Sequence, residues 1–181
     1  MKRKNGPYSI ISSKDIYKNL WLKVREDKVQ HSNGKKGIFG VVEMKDGSSV
    51  LAVNNKNEVY LTKEFKYAVK KESIETMSGG LNNGESPLQA AKRELKEELG
   101  LEAKKWIKLG CVDPFTNVIK SKNYMFLAFD LKKIKSCPDE LESIKIIKMP
   151  FKKVLDMVKQ GKITHSASCV LILKAQEYFK I

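Results

Sequence analysis

Histidine and cysteine are scarce in this chain of 181 residues. His31 and His165 are the only histidines, which excludes a histidine-rich metal site and leaves a Ser-His-Asp triad without support. We expect His165 to be a turn or surface residue. The three cysteines, Cys111, Cys137 and Cys169, are odd in number and far apart, so the sequence indicates neither a disulfide framework nor a zinc site.

Arginine is also rare, although the chain is strongly basic. Lys and Arg total 35 against 21 Asp and Glu, for a net charge of +14, and only Arg3, Arg25 and Arg93 are arginines. Because base edges and phosphate groups are recognised mainly through the arginine fork, a nucleic-acid partner is disfavoured without being excluded. The lysines are spread along the chain, and their field would help to gather a small anionic substrate.

Long apolar runs are missing as well. No stretch approaches the roughly 20 residues that a membrane-spanning helix needs. The first nine residues, MKRKNGPYS, are basic but lack the apolar segment of a secretion signal. A chain of this length can form one domain with a real core. We therefore expect a cytoplasmic protein with no membrane contact.

The most informative stretch is present rather than missing: residues 79–101 read GGLNNGESPLQAAKRELKEELGL. Ser86 can cap a helix, Pro87 suits its first position, and Gln89 completes a capping box. Gly100 suits a left-handed exit from the helix. The apolar residues recur at helical spacing and predict one buried stripe, formed by Leu88, Ala91, Leu95 and Leu99.

Three glutamates, Glu94, Glu97 and Glu98, fall within about one turn of this predicted helix. Close carboxylates destabilise an isolated helix by a few tenths of a kcal/mol per pair, and a hard cation such as Mg²⁺ or Mn²⁺ would relieve this repulsion. The alternative is a solvated acidic face, which a bare E-x-x-E-E pattern favours.

The surrounding residues decide between these readings, because the segment fits G-x5-E-x7-R-E-U-x-E-E-x-G-U, where U is a bulky apolar residue. All nine specified positions match: Gly79, Glu85, Arg93, Glu94, Leu95, Glu97, Glu98, Gly100 and Leu101. This is the Nudix box, and the chain resembles the Nudix hydrolases, which cleave nucleoside diphosphates linked to another moiety. The resemblance implies an α/β fold: a Nudix α/β/α sandwich around a mixed β-sheet, with an N-terminal antiparallel β extension.

The resemblance also implies roles for the box residues. Glu94 and Glu98 are expected to bind the metal, with Glu97 assisting in binding and catalysis and the Ser78 carbonyl completing the shell. Mg²⁺, for which Mn²⁺ could substitute, would neutralise the phosphate oxygens and activate water. Four residues are expected to be structural: Gly79, Glu85, Arg93 and Gly100.

Over roughly residues 15–178 the chain resembles ADP-ribose pyrophosphatases and related nucleoside-diphosphate-sugar hydrolases. Those enzymes often carry R-Q-Y-R and then E-L-P-A-G before the box, where this chain has KEFK at 63–66 and ETMSG at 75–79. Lys66 thus replaces an arginine, which keeps the charge and loses the fork. The substrate-binding residues expected from this alignment are Lys63, Lys66, Glu75 and Phe115.

Enzymes of this subfamily often take a further acid from a loop beyond the box, and residues 139–144, DELESI, match that place. We expect Glu140 to be the general base and Glu142 to be an additional metal ligand. An acidic solvated loop is an equally good reading of either residue.

The pattern of the remaining segments predicts how the chain is organised. The alternation of apolar and polar residues at 58–65 indicates a half-buried strand. Residues 106–112 are expected to form a further strand, and residues 151–159 and 167–179 are expected to form helices. Residues 1–36 are predicted to form an N-terminal β extension, and 37–181 the Nudix hydrolase domain. The resemblance implies that this extension forms the interface of a homodimer.

The expected function is metal-dependent hydrolysis of the diphosphate bridge of ADP-ribose or a related nucleoside diphosphate sugar. The products would be a nucleoside monophosphate and a sugar phosphate. Two alternatives stay open: a Nudix RNA 5′-pyrophosphohydrolase or nucleoside triphosphate pyrophosphatase, and a non-catalytic nucleotide-binding module of Nudix fold. The intact box argues against the second alternative.

Overall fold

The computed structural model describes residues 3–134 and 144–179. These residues form twelve strands and three α-helices, with short 3₁₀ turns at Tyr67–Val69 and Gln176–Tyr178. The strands are β1 Arg3–Asn5, β2 Tyr8–Lys18, β3 Leu22–His31, β4 Lys36–Met44, β5 Gly47–Val53, β6 Glu58–Lys66, β7 Lys71–Glu75, β8 Met77–Gly80, β9 Leu101–Val112, β10 Ile119–Lys120, β11 Asn123–Lys133 and β12 Lys145–Pro150. The helices are α1 Pro87–Leu99, α2 Phe151–Lys159 and α3 Ser166–Ala175.

The chain forms two compact units. The first holds the described residues up to Lys45 together with Asp113–Lys122, and the second holds Asp46–Val112 and the described residues from Asn123 onward. In the first unit the strand order is β1-β2-β3-β4-β10, antiparallel except where β10 runs parallel to β4. Strands β1 to β3 lie within residues 1–36, where the sequence led us to expect an antiparallel β extension, and the sheet also contains β4 and β10.

The second unit is a mixed sheet with helices on both faces. Its strand order is β12-β6-β5-β11-β9, with β7 paired to β6 and β8 to β5, and β11 runs parallel to β5. Successive strand residues point to opposite faces. In β5, Val50 and Ala52 pack in a core with Leu95 of α1, whereas Leu51 and Val53 pack in a second core with residues of α2 and α3. The expected α/β/α sandwich is confirmed.

Helix side chains complete the core on each face of the sheet. Leu95 is fully buried on the α1 side, and Leu171 and Ile172 of α3 are fully buried on the other. Phe151 and Phe179 stack with ring centroids 3.7 Å apart, which joins the start of α2 to the end of the described chain.

In the described ranges no helix is long and apolar enough to cross a membrane.

Candidate active site

Helix α1 begins and ends as its sequence predicts. Ser86 is in an extended conformation at the N-cap, and its backbone N–H donates to Gln89 Oε1 at 2.9 Å, while Ser86 Oγ accepts from the Gln89 N–H at 3.4 Å. Gly100 adopts φ 60° and ψ 38°, the left-handed region that favours glycine. These two ends fix the register of the helix, and hence the positions of its glutamates.

Arg93 connects the parts of the box. Its Nε and Nη2 donate to the two carboxylate oxygens of Glu85, each at 3.0 Å, in a bidentate pair. Nη1 donates to Glu94 Oε1 at 2.7 Å and to Glu97 Oε2 at 3.0 Å, and Nη2 also reaches the Gly80 carbonyl at 2.9 Å. One guanidinium therefore ties the turn, the end of β8 and the acidic face of α1 together.

These contacts also set protonation states. The hydrogen bonds from Arg93 hold the pKa of Glu85 below its ordinary value, with a further contribution from the Asn82 N–H, which donates to Glu85 Oε2 at 2.9 Å. The same pairing, mainly with Glu85, raises the pKa of Arg93. The pair is thus ionised at neutral pH and closes the turn before α1.

Gly79 lies where the backbone of β8 approaches Glu94 of helix α1. A Cβ atom at this position would lie 2.0 Å from Cδ and Oε1 of Glu94, far inside van der Waals contact. Gly79 is therefore a glycine because the Glu94 carboxylate occupies the space of its side chain. Ser78, whose carbonyl was expected to bind metal, precedes it in β8 and pairs with Ser49 of β5.

The carboxylate oxygens of α1 are of the chemical type that a hard divalent cation prefers. The Glu94 side chain is 13% exposed and that of Glu97 45% exposed, and Glu98 is half-buried, so all three reach solvent to different degrees. Within residues 3–134 and 144–179, no three acidic, His or Cys side chains converge on one point. Arg93 instead holds three of the box carboxylates, those of Glu85, Glu94 and Glu97. Glu140 and Glu142 lie outside the described residues.

The residues expected to bind substrate are distributed over both units. Lys63 pairs with Glu72, and Lys66 pairs with Glu64 at 2.5 Å, both in the second unit. Glu75, at the end of β7, is buried at 8% exposure. Phe115 belongs to the first unit and is 56% exposed.

Comparison with known proteins then decides the family. A family model described as the NUDIX domain matches residues 44–167, which is more than half of the chain. The chain belongs to the Nudix family. A second model, described as the nucleoside diphosphate sugar hydrolase N-terminal domain, matches residues 9–42.

Named relatives agree with this Nudix assignment. The chain is 26% identical over 177 residues to the methanol dehydrogenase activator of Bacillus methanolicus, covering 94% of each chain. It is also 26% identical over 155 residues to the ADP-ribose pyrophosphatase of Bacillus subtilis strain 168, covering 84% of each. A crystal structure of an ADP compounds hydrolase superposes with a TM-score of 0.85 at 20% identity, covering 98% of this chain and 97% of that one. The expected Nudix fold and the expectation of a Nudix pyrophosphohydrolase are confirmed.

His165 has contacts that the sequence did not predict. We expected a turn or surface residue, and His165 precedes α3 at its N-cap with a side chain 31% exposed, but this side chain also contacts two buried groups. Its Nδ1 lies 2.9 Å from Ser168 Oγ and 3.3 Å from Glu75 Oε2. This contact could not be predicted from local sequence, because Glu75 and His165 are far apart along the chain. They come together only when α3 packs against the folded sheet.

This Ser-His-Glu grouping is not a nucleophilic triad. Ser168 is fully buried, so its hydroxyl cannot reach a substrate. Both partners approach the same ring nitrogen of His165, whereas a triad uses one nitrogen for the serine and the other for the acid. The grouping is therefore a buried polar network beside the site.

Proposed function

We propose that this Nudix enzyme hydrolyses the diphosphate bridge of ADP-ribose or a related nucleoside diphosphate sugar. The products are a nucleoside monophosphate and a sugar phosphate. The observation that carries the proposal is the complete box, folded as one unit around Arg93, in a chain whose residues 9–42 match the N-terminal domain of nucleoside diphosphate sugar hydrolases. The relative from Bacillus subtilis, named ADP-ribose pyrophosphatase, supports the same substrate class.

Divalent metal would be held by Glu94, Glu97, Glu98 and the Ser78 carbonyl, with Mg²⁺ as the expected ion and Mn²⁺ as a substitute. The all-oxygen donor set and the close approach of Gly79 to Glu94 support this assignment. When bound, the ion supplies charge neutralisation at the diphosphate and activation of water. Glu140 is the proposed general base, Glu142 an additional ligand, and Glu97 assists.

The chain's own residues would orient the substrate. Lys63 and Lys66 supply positive charge for the diphosphate, and Glu75 offers a carboxylate acceptor for a hydroxyl group. Because Lys66 lacks the fork of an arginine, we expect loose selectivity among sugar nucleotides. Three exposed aromatic side chains are candidates for stacking on the base: Trp21, Phe65 and Phe115.

We also propose a cytoplasmic homodimer formed through the N-terminal β extension, residues 1–36. The first unit exposes many large apolar side chains, including Leu20 at 83% and Trp21 at 69%. Exposed apolar side chains in this number favour an interaction surface, and a two-fold interface would cover them in both copies.

Initial rates on a substrate panel with Mg²⁺ test the function. The panel holds ADP-ribose, ADP-glucose, a nucleoside triphosphate and a 5′-triphosphorylated RNA at equal concentration. We expect ADP-ribose and ADP-glucose to be cleaved fastest. The basic charge of the chain favours the RNA alternative, and preferential release of pyrophosphate from the RNA or the triphosphate would reject our assignment.

Glu98→Gln tests the metal-binding role of α1 in the same assay. This variant keeps the shape of the side chain and removes its charge, so turnover should fall by a factor on the order of 10² to 10³. Lys96→Gln is the matched control, because Lys96 is an exposed residue of the same helix. Full activity of wild-type protein in excess chelator would contradict the metal-dependent mechanism.

A further inference from the structure

Four polar residues form a buried network between β7, β8 and the start of α3. Thr76 and Ser168 are fully buried, and Glu75 is 8% exposed. Ser168 Oγ accepts a hydrogen bond from the Thr76 backbone N–H at 2.9 Å and lies 3.1 Å from Thr76 Oγ1. His165 joins the network through Nδ1, at 2.9 Å from Ser168 Oγ and 3.3 Å from Glu75 Oε2.

The partners of His165 decide which ring nitrogen carries the proton. A carboxylate only accepts hydrogen bonds, so an unprotonated Nδ1 would place a lone pair against Glu75 Oε2. With the proton on Nδ1, the ring turns an N–H towards Ser168 and Glu75, and the Ser168 hydroxyl is left to donate to Thr76 Oγ1. His165 Nδ1, Ser168 Oγ and Thr76 Oγ1 then each face a compatible partner, which is what buried groups require.

Burial is the main reason why the His165 ring is neutral near pH 7. Burial lowers the pKa of His165 below its ordinary value, the Glu75 carboxylate opposes that shift, and the positive charge of Lys66 adds to it. A neutral ring with the proton on Nδ1 still turns an N–H towards Glu75 Oε2, which lies 3.3 Å away. This contact therefore does not depend on a charged histidine.

The network holds a segment that leads directly into the box. Glu75 is followed by Thr76, Met77, Ser78 and Gly79, and Gly79 lies against Glu94. Thr76 is fixed to α3 through Ser168, and the Glu75 carbonyl accepts from Thr62 Oγ1 at 3.4 Å. With its backbone fixed on both sides, the remaining freedom of Glu75 is in its side chain, and His165 is the group that restrains it.

We propose that His165 is a positioning residue, whose Nδ1–H holds the Glu75 carboxylate in place to accept a hydrogen bond from a sugar hydroxyl of the substrate. This inference rests on the proposed function, in which Glu75 recognises a nucleoside diphosphate sugar. His165 itself does not contact the reacting atoms. Its loss should therefore weaken substrate binding more than it slows the chemical step.

Two substitutions separate this role from a merely structural one. Asn at 165 places an amide N–H close to the position of Nδ1, whereas Gln places it near the position of Nε2. We expect His165→Gln to raise KM for ADP-ribose about tenfold, the loss of one hydrogen bond to a charged group, with kcat changed less than threefold. His165→Asn should restore KM to within about threefold of wild type, and Thr164→Ala, at an exposed neighbour, should leave both constants unchanged.

Nitrogen-15 NMR of the imidazole rings tests the contact without any substrate. The chain has only two histidines, so His165 can be distinguished from His31 by a His31→Gln variant. We expect the Nδ1–H tautomer for His165 near neutral pH, and a titration that moves to lower pH in Glu75→Gln, because the stabilising carboxylate charge is gone.

The kinetic and NMR measurements distinguish failure of the positioning role from failure of the proposed function. An Nε2–H tautomer, or equal KM values for the Asn and Gln variants, would overturn the positioning role while the wild-type enzyme still cleaved ADP-ribose. If the wild-type enzyme cleaved no sugar nucleotide, the proposed function and the recognition role of Glu75 would both be rejected. The NMR spectrum would still decide whether His165 donates to Glu75.

Discussion

A single added methyl group at Gly79 should lower the activity of the enzyme about 10²-fold while leaving its fold intact. In Gly79→Ala the new Cβ would lie 2.0 Å from Cδ of Glu94. Ordinary contact between such atoms needs roughly 3.5 Å, so the carboxylate must withdraw by about 1.5 Å. The Glu94 side chain can rotate away, because its end is flexible, but it then leaves Arg93 and the position from which it would bind metal.

The size of the effect follows from that displacement. A misplacement of about 1 Å in a catalytic constellation can lower the rate by about 10²-fold, which equals about 2.7 kcal/mol of transition-state stabilisation. The free energy of unfolding should change by no more than about 1 kcal/mol, since alanine is tolerated in strands at least as well as glycine. The assay is steady-state hydrolysis of ADP-ribose, with thermal unfolding measured on the same preparations.

Gly80→Ala is the matched control, because a Cβ at Gly80 meets no atom within 4 Å. Its activity should stay within about threefold of wild type, since exposed substitutions without new contacts have small effects. Equal losses in the two variants, or a fully active Gly79→Ala enzyme, would refute the argument that Gly79 exists to make room for Glu94.

Three further predictions concern the box and the first unit. Arg93→Lys loses the bidentate contact to Glu85, and the free energy of unfolding in urea should fall by about 1–2 kcal/mol; an unchanged midpoint would show that the fork is not structural. Because the pKa of Glu85 is lowered in the folded state, this group stabilises the protein above its ordinary pKa of about 4.3, and that contribution is lost as pH falls through the lower folded value. Glu85→Gln should accordingly flatten the dependence of unfolding on pH below about pH 5, and an unaltered profile would contradict the assignment. Leu20→Lys should dissociate the proposed dimer in light scattering, whereas a monomeric wild-type protein at high micromolar concentration would reject the dimer itself.

Local features of the fold were predictable from the sequence. Helix α1 begins and ends as its capping residues indicate, and the predicted helix at 151–159 matches α2. Alternation at 58–65 correctly predicted β6, in which Val59 and Leu61 are fully buried. These signals succeed because capping and periodicity depend on residues only a few positions apart.

Long-range features were not predictable from pattern alone. Strand β9 begins directly after Gly100 and is longer than the strand expected at 106–112, because pairing with β11 extends it. The parallel pairing of β5 with β11 joins segments separated by α1, and only the resemblance to a known family implied that topology. The box pattern requires a glycine at position 79, but only the structure shows why: the Glu94 carboxylate occupies the space of a side chain at that position.

The central claim is that the enzyme cleaves the diphosphate bridge of a nucleoside diphosphate sugar. Phosphorus NMR of a reaction containing ADP-ribose, Mg²⁺ and the wild-type enzyme tests it most directly, because every phosphorus-containing product is observed at once. We expect AMP and ribose 5-phosphate in equal amounts as the only new signals, and we expect both to be lost in Glu98→Gln. Intact ADP-ribose after prolonged incubation, in a preparation that releases pyrophosphate from nucleoside triphosphates or from triphosphorylated RNA, would contradict it.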